Sequence, residues 1–211
     1  MRFVSILTLR AMMAVSAALV LGVAFEPSHA AGQAGPVLAA EPPVARRPHE
    51  SRSQVLSKLY DRLAVTKDAH EGEMIAARIE TLQMRSGSAT ADLLLSRARG
   101  VASSHNTSLA LKLLDQVVIL DPNWPEGWNR RATLRYLSHD DAGSMRDIAR
   151  VLKLEPRHFG ALSGMAEILL RHGFAKDALA IDRRLQEIYP TMGGLKKTVA
   201  ELTLKVEGRP I

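Results

Sequence analysis

The chain has 211 residues, of which 46% are hydrophobic and 24% charged, which is enough for one compact domain or one short repeat array. It contains no cysteine, which excludes a disulfide scaffold, a thiol nucleophile and any cysteine-ligated zinc or iron–sulfur site. The formal net charge of +6 is a modest surplus, so the clustering of the basic residues matters more than their sum.

The segment 1–30 has the layout of a secretory signal peptide. A short basic start precedes an uncharged stretch at 11–25, and Ser28 and Ala30 stand as the small residues of a cleavage site. The stretch is shorter than the roughly 20 apolar residues of a spanning helix, so we expect cleavage before Ala31 and no membrane span afterwards. Export then predicts a periplasmic protein. An uncleaved N-terminal anchor is the alternative.

Residues 31–50 are interpreted as a proline-rich flexible linker. They hold four prolines and no hydrophobic periodicity. Because proline lacks an amide donor and restricts the residue before it, both helix and strand are disfavoured, and we expect an extended tether. The alternative, a proline-rich docking peptide, is not strengthened by any PxxP repeat.

A period of 34 residues organises the rest of the chain. It is most visible in Pro122, Pro156 and Pro190, each of which closes a similar phrase. The same step aligns small or apolar residues in five further columns, namely Leu94/Trp128/Leu162, Ala98/Ala132/Ala166, Ala110/Ser144/Ala178, Val117/Val151/Leu185 and Leu120/Leu154/Ile188. Apolar residues within each unit recur at helical spacing, so each unit is predicted to be a pair of helices.

This pattern resembles the tetratricopeptide (TPR) repeat family, whose 34-residue unit is a helix–turn–helix with W-x2-L-G-x2-Y, then A-x3-F, then P. The residues that carry the resemblance are Trp128, Ala132, Pro156, Leu162, Ala166, Gly173, Ala178 and Pro190. Arg131 and Arg135 stand where the family has leucine and tyrosine, and Asp182 replaces an aromatic residue. The sequence also resembles small exported bacterial TPR proteins of unassigned function.

The resemblance implies an all-α solenoid of about four helix–turn–helix repeats with a C-terminal capping helix. Because a single hairpin cannot bury its apolar face, we expect the hairpins to stack. The predicted parts are a degenerate N-terminal hairpin at 51–90, three repeats at 91–124, 125–158 and 159–192, and a capping helix and tail at 193–211. A detachable amphipathic C-terminal helix for a membrane or partner is the alternative.

Such arrays present a concave groove lined by the first helix of each unit. By resemblance, the partner-binding positions are Arg99, Asn129, Thr133, Tyr136, Ser163, Glu167 and Arg171. This set has mixed charge and one aromatic side chain, and it lacks the dense basic pattern that would clamp a carboxylate terminus. Trp128 is expected in the core. Trp124 lies outside the repeated columns and either staples a hairpin junction or is exposed for a partner.

Four histidines, at positions 105, 139, 158 and 172, are candidate metal ligands. Neighbouring residues in His139-Asp140-Asp141 do not face one another on a helix, and their spacing matches no metal template. We expect a polar turn there, with one of the two aspartates capping the next helix, and we predict no metal or other cofactor. Arg157 and His158 either bind an anion at a helix N-terminus or form a solvated turn, which we favour.

No catalytic template is present, so we do not predict an enzyme. Arg130, Arg131 and Arg135 are interpreted as a solvated helical face, because no aromatic platform accompanies them, and no nucleic-acid partner is predicted. The favoured function is an exported scaffold or adaptor that binds a protein partner in the groove. The alternative is a binder of envelope glycan or lipid, or an accessory subunit of an envelope enzyme. A third possibility is a purely structural module held by its proline-rich arm. The partner's identity and the oligomeric state are open.

Overall fold

The computed structural model describes residues 50–104 and 106–208. The predicted signal peptide and the predicted linker, apart from Glu50, lie outside these residues, as do His105 and the tail at 209–211. Within the described ranges the chain forms nine helices and no strand. None of these helices combines the length and apolar character needed to cross a bilayer.

The helices follow one another in four hairpins and a final single helix. They are α1 (Arg52–Val65), α2 (Ala69–Gln83), α3 (Ala89–Ser103), α4 (Thr107–Leu120), α5 (Pro125–Leu137), α6 (Asp141–Leu154), α7 (Phe159–Arg171), α8 (Ala175–Ile188) and α9 (Leu195–Glu207). Contacts run within each hairpin and between consecutive hairpins from α3 onward, and α9 packs on α8.

The helix ends are fixed by short polar side chains and by backbone with positive φ. Asp140 accepts a hydrogen bond from the amide of Gly143 at 2.8 Å and so caps α6, as the sequence predicts. Gly173, in the turn between α7 and α8, has φ +81°. His139, 34 residues earlier, has φ +63° in the equivalent turn. The histidine therefore occupies a left-handed turn position, which costs a side-chain-bearing residue more than glycine.

The repeated small and apolar columns form the core of the stack. The columns of Ala98, Ala110 and Val117, each with its two equivalents, are all buried. Two of these columns meet directly, because the hydroxyl of Ser144 donates to the carbonyl of Ala132 at 2.9 Å. Small side chains at these positions bring the two helices of a hairpin close together.

The N-terminal hairpin lies elsewhere than the repeat period predicts. A degenerate first repeat would stack on α3, but the main partner of α1 outside its own hairpin is α8. Tyr60 and Leu63 share one core cluster with Phe159, Leu185 and Tyr189. The rings of Tyr60 and Phe159 lie edge to face, with centroids 6.3 Å apart. The hairpin therefore covers the turns that precede α7 and α9 instead of extending the array at its N-terminal end.

Candidate functional site

A hollow of about 250 Å³ lies between α5 and α7, the first helices of two consecutive units. We call it the central groove. Five of the predicted groove residues line it, namely Asn129, Thr133, Tyr136, Ser163 and Glu167. On α7 the hollow is also lined by Gly160, Ala161 and Gly164, whose small size leaves space between the two helices. The sequence signal for this depth is the glycine spacing in FGALSG, which the repeat columns do not include.

The other two predicted groove residues lie beside the central groove. Arg99 lines a smaller hollow, of about 140 Å³, between α3 and α5, and Thr133 and Leu137 line both hollows. Arg171 stacks its guanidinium 4.0 Å from the ring centroid of Tyr136 and donates to Asp141 at 2.7 Å. Arg171 is therefore engaged within the protein at one side of the groove.

The comparison with known proteins decides which family the helical array represents. A TPR repeat-containing protein from Rhizobium etli is 38% identical over 163 residues, which cover 77% of this chain and 80% of that protein. The chain belongs to the tetratricopeptide repeat family. The predicted TPR resemblance and the all-α solenoid are thereby confirmed.

The solved structures agree on the TPR fold. The TPR domain of Sgt2 from Aspergillus fumigatus matches with a TM-score of 0.50 and 17% identity, over 59% of this chain and 87% of that one. At this identity the match shows the fold alone. No protein-family model matches the sequence. A TPR array of this kind is a protein–protein interaction module, since stacked repeats create an extended concave surface.

The two arginines that depart from the TPR pattern are not a solvated face, and that interpretation is wrong. Arg131 donates to both carboxylate oxygens of Asp147, at 2.9 and 2.7 Å, and Arg135 donates to the same carboxylate at 3.0 Å. Asp147 is 2% exposed. Arg131 also reaches Asp115 at 2.8 Å and stacks on the ring of Trp128. Desolvation lowers the pKa of Arg131, but its two carboxylate partners outweigh that effect and raise it.

A second buried network joins the starts of α5 and α7. The Glu126 carboxylate accepts hydrogen bonds from Asn129 at 3.0 Å and from Arg130, and it lies 3.2 Å from Nε2 of His158. Nδ1 of His158 accepts a hydrogen bond from the amide of Ala161 and so caps α7. Nε2 therefore carries the proton of the neutral ring and donates it in a hydrogen bond to Glu126. Burial favours a higher pKa for Glu126, but the hydrogen bond from His158 and the charge of Arg130 hold it below its ordinary value.

These contacts exclude the anion site at Arg157 and His158, and they equally contradict a solvated turn. His158 is 3% exposed and fully used as a cap. Arg157 donates to Asp61 at 2.7 Å and to Ser57 at 3.3 Å, and its guanidinium stacks 4.7 Å from the ring centroid of Tyr60. Arg157 therefore anchors the N-terminal hairpin to the TPR stack, while His158 caps α7 within the stack.

The other two candidate histidines in the described part of the chain, His139 and His172, do not converge. His139 is an exposed turn residue, and His172 pairs with Asp141 through Nε2 at 2.8 Å. Across 50–104 and 106–208, no three histidine, aspartate or glutamate side chains are placed to hold a metal ion.

The two tryptophans have different roles. Trp124 is 3% exposed and donates its indole N–H to the carbonyl of Gln83 at 2.7 Å, so it staples the hairpin junction. Trp128 is half-buried, packs against the core cluster that contains Ala132 and Val151, and donates to the carbonyl of Pro122 at 3.0 Å. The sequence alone left both alternatives open for Trp124.

Proposed function

We propose that the chain is an exported, periplasmic scaffold or adaptor that binds a peptide segment or helix of a partner protein in the central groove. The observation that carries the proposal is the hollow between α5 and α7, with apolar walls and hydroxyl and carboxylate groups at its rim. Membership of the TPR family supports a protein partner, and the N-terminal layout of residues 1–30 supports export.

The rim of the groove offers contacts that the protein itself leaves available. Thr133 and Glu167 are exposed, and Glu167 pairs with no basic side chain in the described part of the chain. Leu137 is 67% exposed and lines both the central groove and the hollow beside α3. A ligand segment can therefore bury an apolar side chain at Leu137 while it hydrogen-bonds to the rim.

A blocking substitution tests the groove without breaking a buried network. Thr133→Arg places a long side chain in the hollow, whereas the hydroxyl it removes only bonds the carbonyl of its own helix at 2.9 Å. Thr81→Arg is the matched control, since Thr81 is an exposed helical threonine with the same backbone bond, on α2.

The assay first identifies the partner by photo-crosslinking from position 163 in intact cells, and then measures binding of the purified partner by calorimetry. We expect Thr133→Arg to weaken binding about tenfold or more, as for a hot-spot position, and Thr81→Arg to leave it unchanged. Equal affinity of both variants would show that the partner binds another surface. Cell fractionation with mass spectrometry of the mature N-terminus tests export, which an intact residue 1 in the cytoplasmic fraction would refute.

A further inference from the structure

A second cavity, also about 250 Å³, lies where α7, α8 and the α8–α9 turn meet, and we call it the α8 pocket. Ser163 and Glu167 line both this pocket and the central groove, so the two spaces adjoin along α7. Apolar side chains make up most of its remaining side-chain lining, namely Ala166, Leu170, Leu185, Met192 and Leu195. The pocket is thus an annex of the groove that combines an apolar wall with the polar side chains of Ser163, Glu167, Asp182 and Thr198.

One of those polar groups is a buried carboxylate without a partner. Asp182 lines the pocket, is 4% exposed, and its Oδ2 accepts no hydrogen bond from any described residue. In the repeat phase it occupies the column of Leu114 and Ile148, which are both buried. Burial raises the pKa of Asp182, and the negative charge of Glu167 raises it further.

An unpaired buried carboxylate is costly, since a buried polar group that lacks a partner loses its hydration without compensation. Lys196 and Lys197 follow the pocket residue Leu195 on α9, but both are exposed and neither lines the pocket. Asp182 and Glu167 therefore give the pocket a negative end that the described residues do not neutralise.

We propose that the α8 pocket receives the side chain of a lysine or arginine of a peptide that lies in the central groove. The inference rests on the proposed function and specifies the chemistry of the partner. Long basic side chains bury their methylene stems against apolar surface and keep the charged head for polar contacts. The walls of the pocket match the stem, while Asp182 and Glu167 match the head through charge-assisted hydrogen bonds.

A small-molecule titration tests the pocket independently of any partner. The probe is Nα-acetyl-lysine N-methylamide, with the norleucine analogue as its neutral counterpart, and the signals are the amides of Gly193 and Gly194, which line the pocket. We expect shifts with the lysine probe only, in the full chain and in Asp177→Asn, and none in Asp182→Asn. Asp177 is an exposed aspartate on the same helix, so this variant removes the same charge. Absence of shifts, or equal shifts in Asp182→Asn, would overturn the proposal.

Panning random peptides on the full chain separates this proposal from the proposed function. We expect the retained peptides to carry a lysine or arginine, to compete with one another for the groove blocked by Thr133→Arg, and to bind Asp182→Asn about tenfold or more weakly. Groove-binding peptides that bind Asp182→Asn with unchanged affinity would uphold the groove and refute the basic side chain. Shifts with the lysine probe but no groove-binding peptide would refute the peptide function and uphold the pocket.

Discussion

The guanidinium of Arg131 holds the buried carboxylate of Asp147 with two parallel hydrogen bonds, of 2.7 and 2.9 Å. This bidentate pair joins α5 to α6 inside the TPR unit at 125–158. Arg131 replaces the family's leucine, and Asp147 stands in a repeat column that holds Leu113 and Ile181 in the neighbouring units. An apolar contact of the consensus repeat has thus been exchanged for a charged one on both helices.

The first prediction concerns this exchange. Asp147→Leu leaves Arg131 and Arg135 without their buried counter-charge, and we expect the free energy of unfolding to fall by about 3–5 kcal/mol. The triple variant Arg131→Leu/Arg135→Tyr/Asp147→Leu restores apolar contacts, and we expect a stability equal to or above that of the natural protein. Urea denaturation followed by circular dichroism measures both, and a triple variant as unstable as the single one would contradict this account.

The 34-residue period predicts much of this fold, because the buried columns repeat the same contact. The small columns and Val117, Val151 and Leu185 lie in the core, as their spacing indicates. The periodicity of α5 alone does not predict the buried charges, because Asp147, the partner of Arg131 and Arg135, lies on α6. A signal was available, because Asp147 and Asp182 both stand in columns that are otherwise apolar. In a repeat protein, a charge in such a column indicates either a buried partner or an unfilled site.

The position of the N-terminal hairpin was not predictable from periodicity. The pattern of an amphipathic helix shows that its apolar face must pack against another element, but it does not show which element that is. The 34-residue period aligns Tyr60 with Leu94, but it does not show what Tyr60 contacts. In the structure Tyr60 packs against Phe159 and under the guanidinium of Arg157. These contacts lie about a hundred residues away along the chain, so no local pattern records them.

The second prediction tests how this hairpin is attached. Trp124→Phe removes the indole donor from the carbonyl of Gln83, a buried residue at the end of α2, leaving it only a longer 3.4 Å bond from Arg52. We expect a loss of about 1–3 kcal/mol, together with faster hydrogen exchange in α2. Trp128→Phe is the control, because the carbonyl of Pro122 belongs to an exposed residue and water can replace the indole. Equal losses in both variants would argue against a stapling role.

The third prediction uses the pH dependence of Glu126. Its pKa is depressed in the folded protein, so the stability it contributes is present above the unfolded value of about 4.3 and is lost as pH falls through the lower folded value. Glu126→Gln should therefore be less stable than the natural chain at neutral pH and lose less stability on acidification. Thermal unfolding at a series of pH values measures this, with the exposed Glu201→Gln as control. Parallel curves for the natural chain and Glu126→Gln would refute it.

The fourth prediction concerns the unpartnered carboxylate of Asp182, whose pKa is shifted in the opposite direction. Burial and the neighbouring Glu167 raise this pKa, so ionising Asp182 costs more free energy in the folded protein than in the unfolded chain. Asp182 therefore destabilises the fold least at pH values below its pKa in the unfolded chain, about 3.9. The free energy of unfolding then falls as the pH rises through the higher pKa of the folded state. We expect Asp182→Asn to remove this loss, so its stability advantage over the natural chain is larger at pH 7 than at pH 4.

Filling the same position with the apolar residue of its column separates stability from binding. Asp182→Leu removes a buried oxygen that lacks a donor, and we expect a gain of about 1–3 kcal/mol in the free energy of unfolding at neutral pH. If the carboxylate serves a basic ligand, the more stable variant will have lost affinity for that ligand, as commonly happens when a binding site is optimised for stability. Denaturation midpoints at pH 7 test the gain. A destabilised Asp182→Leu would show that the carboxylate supports the fold itself.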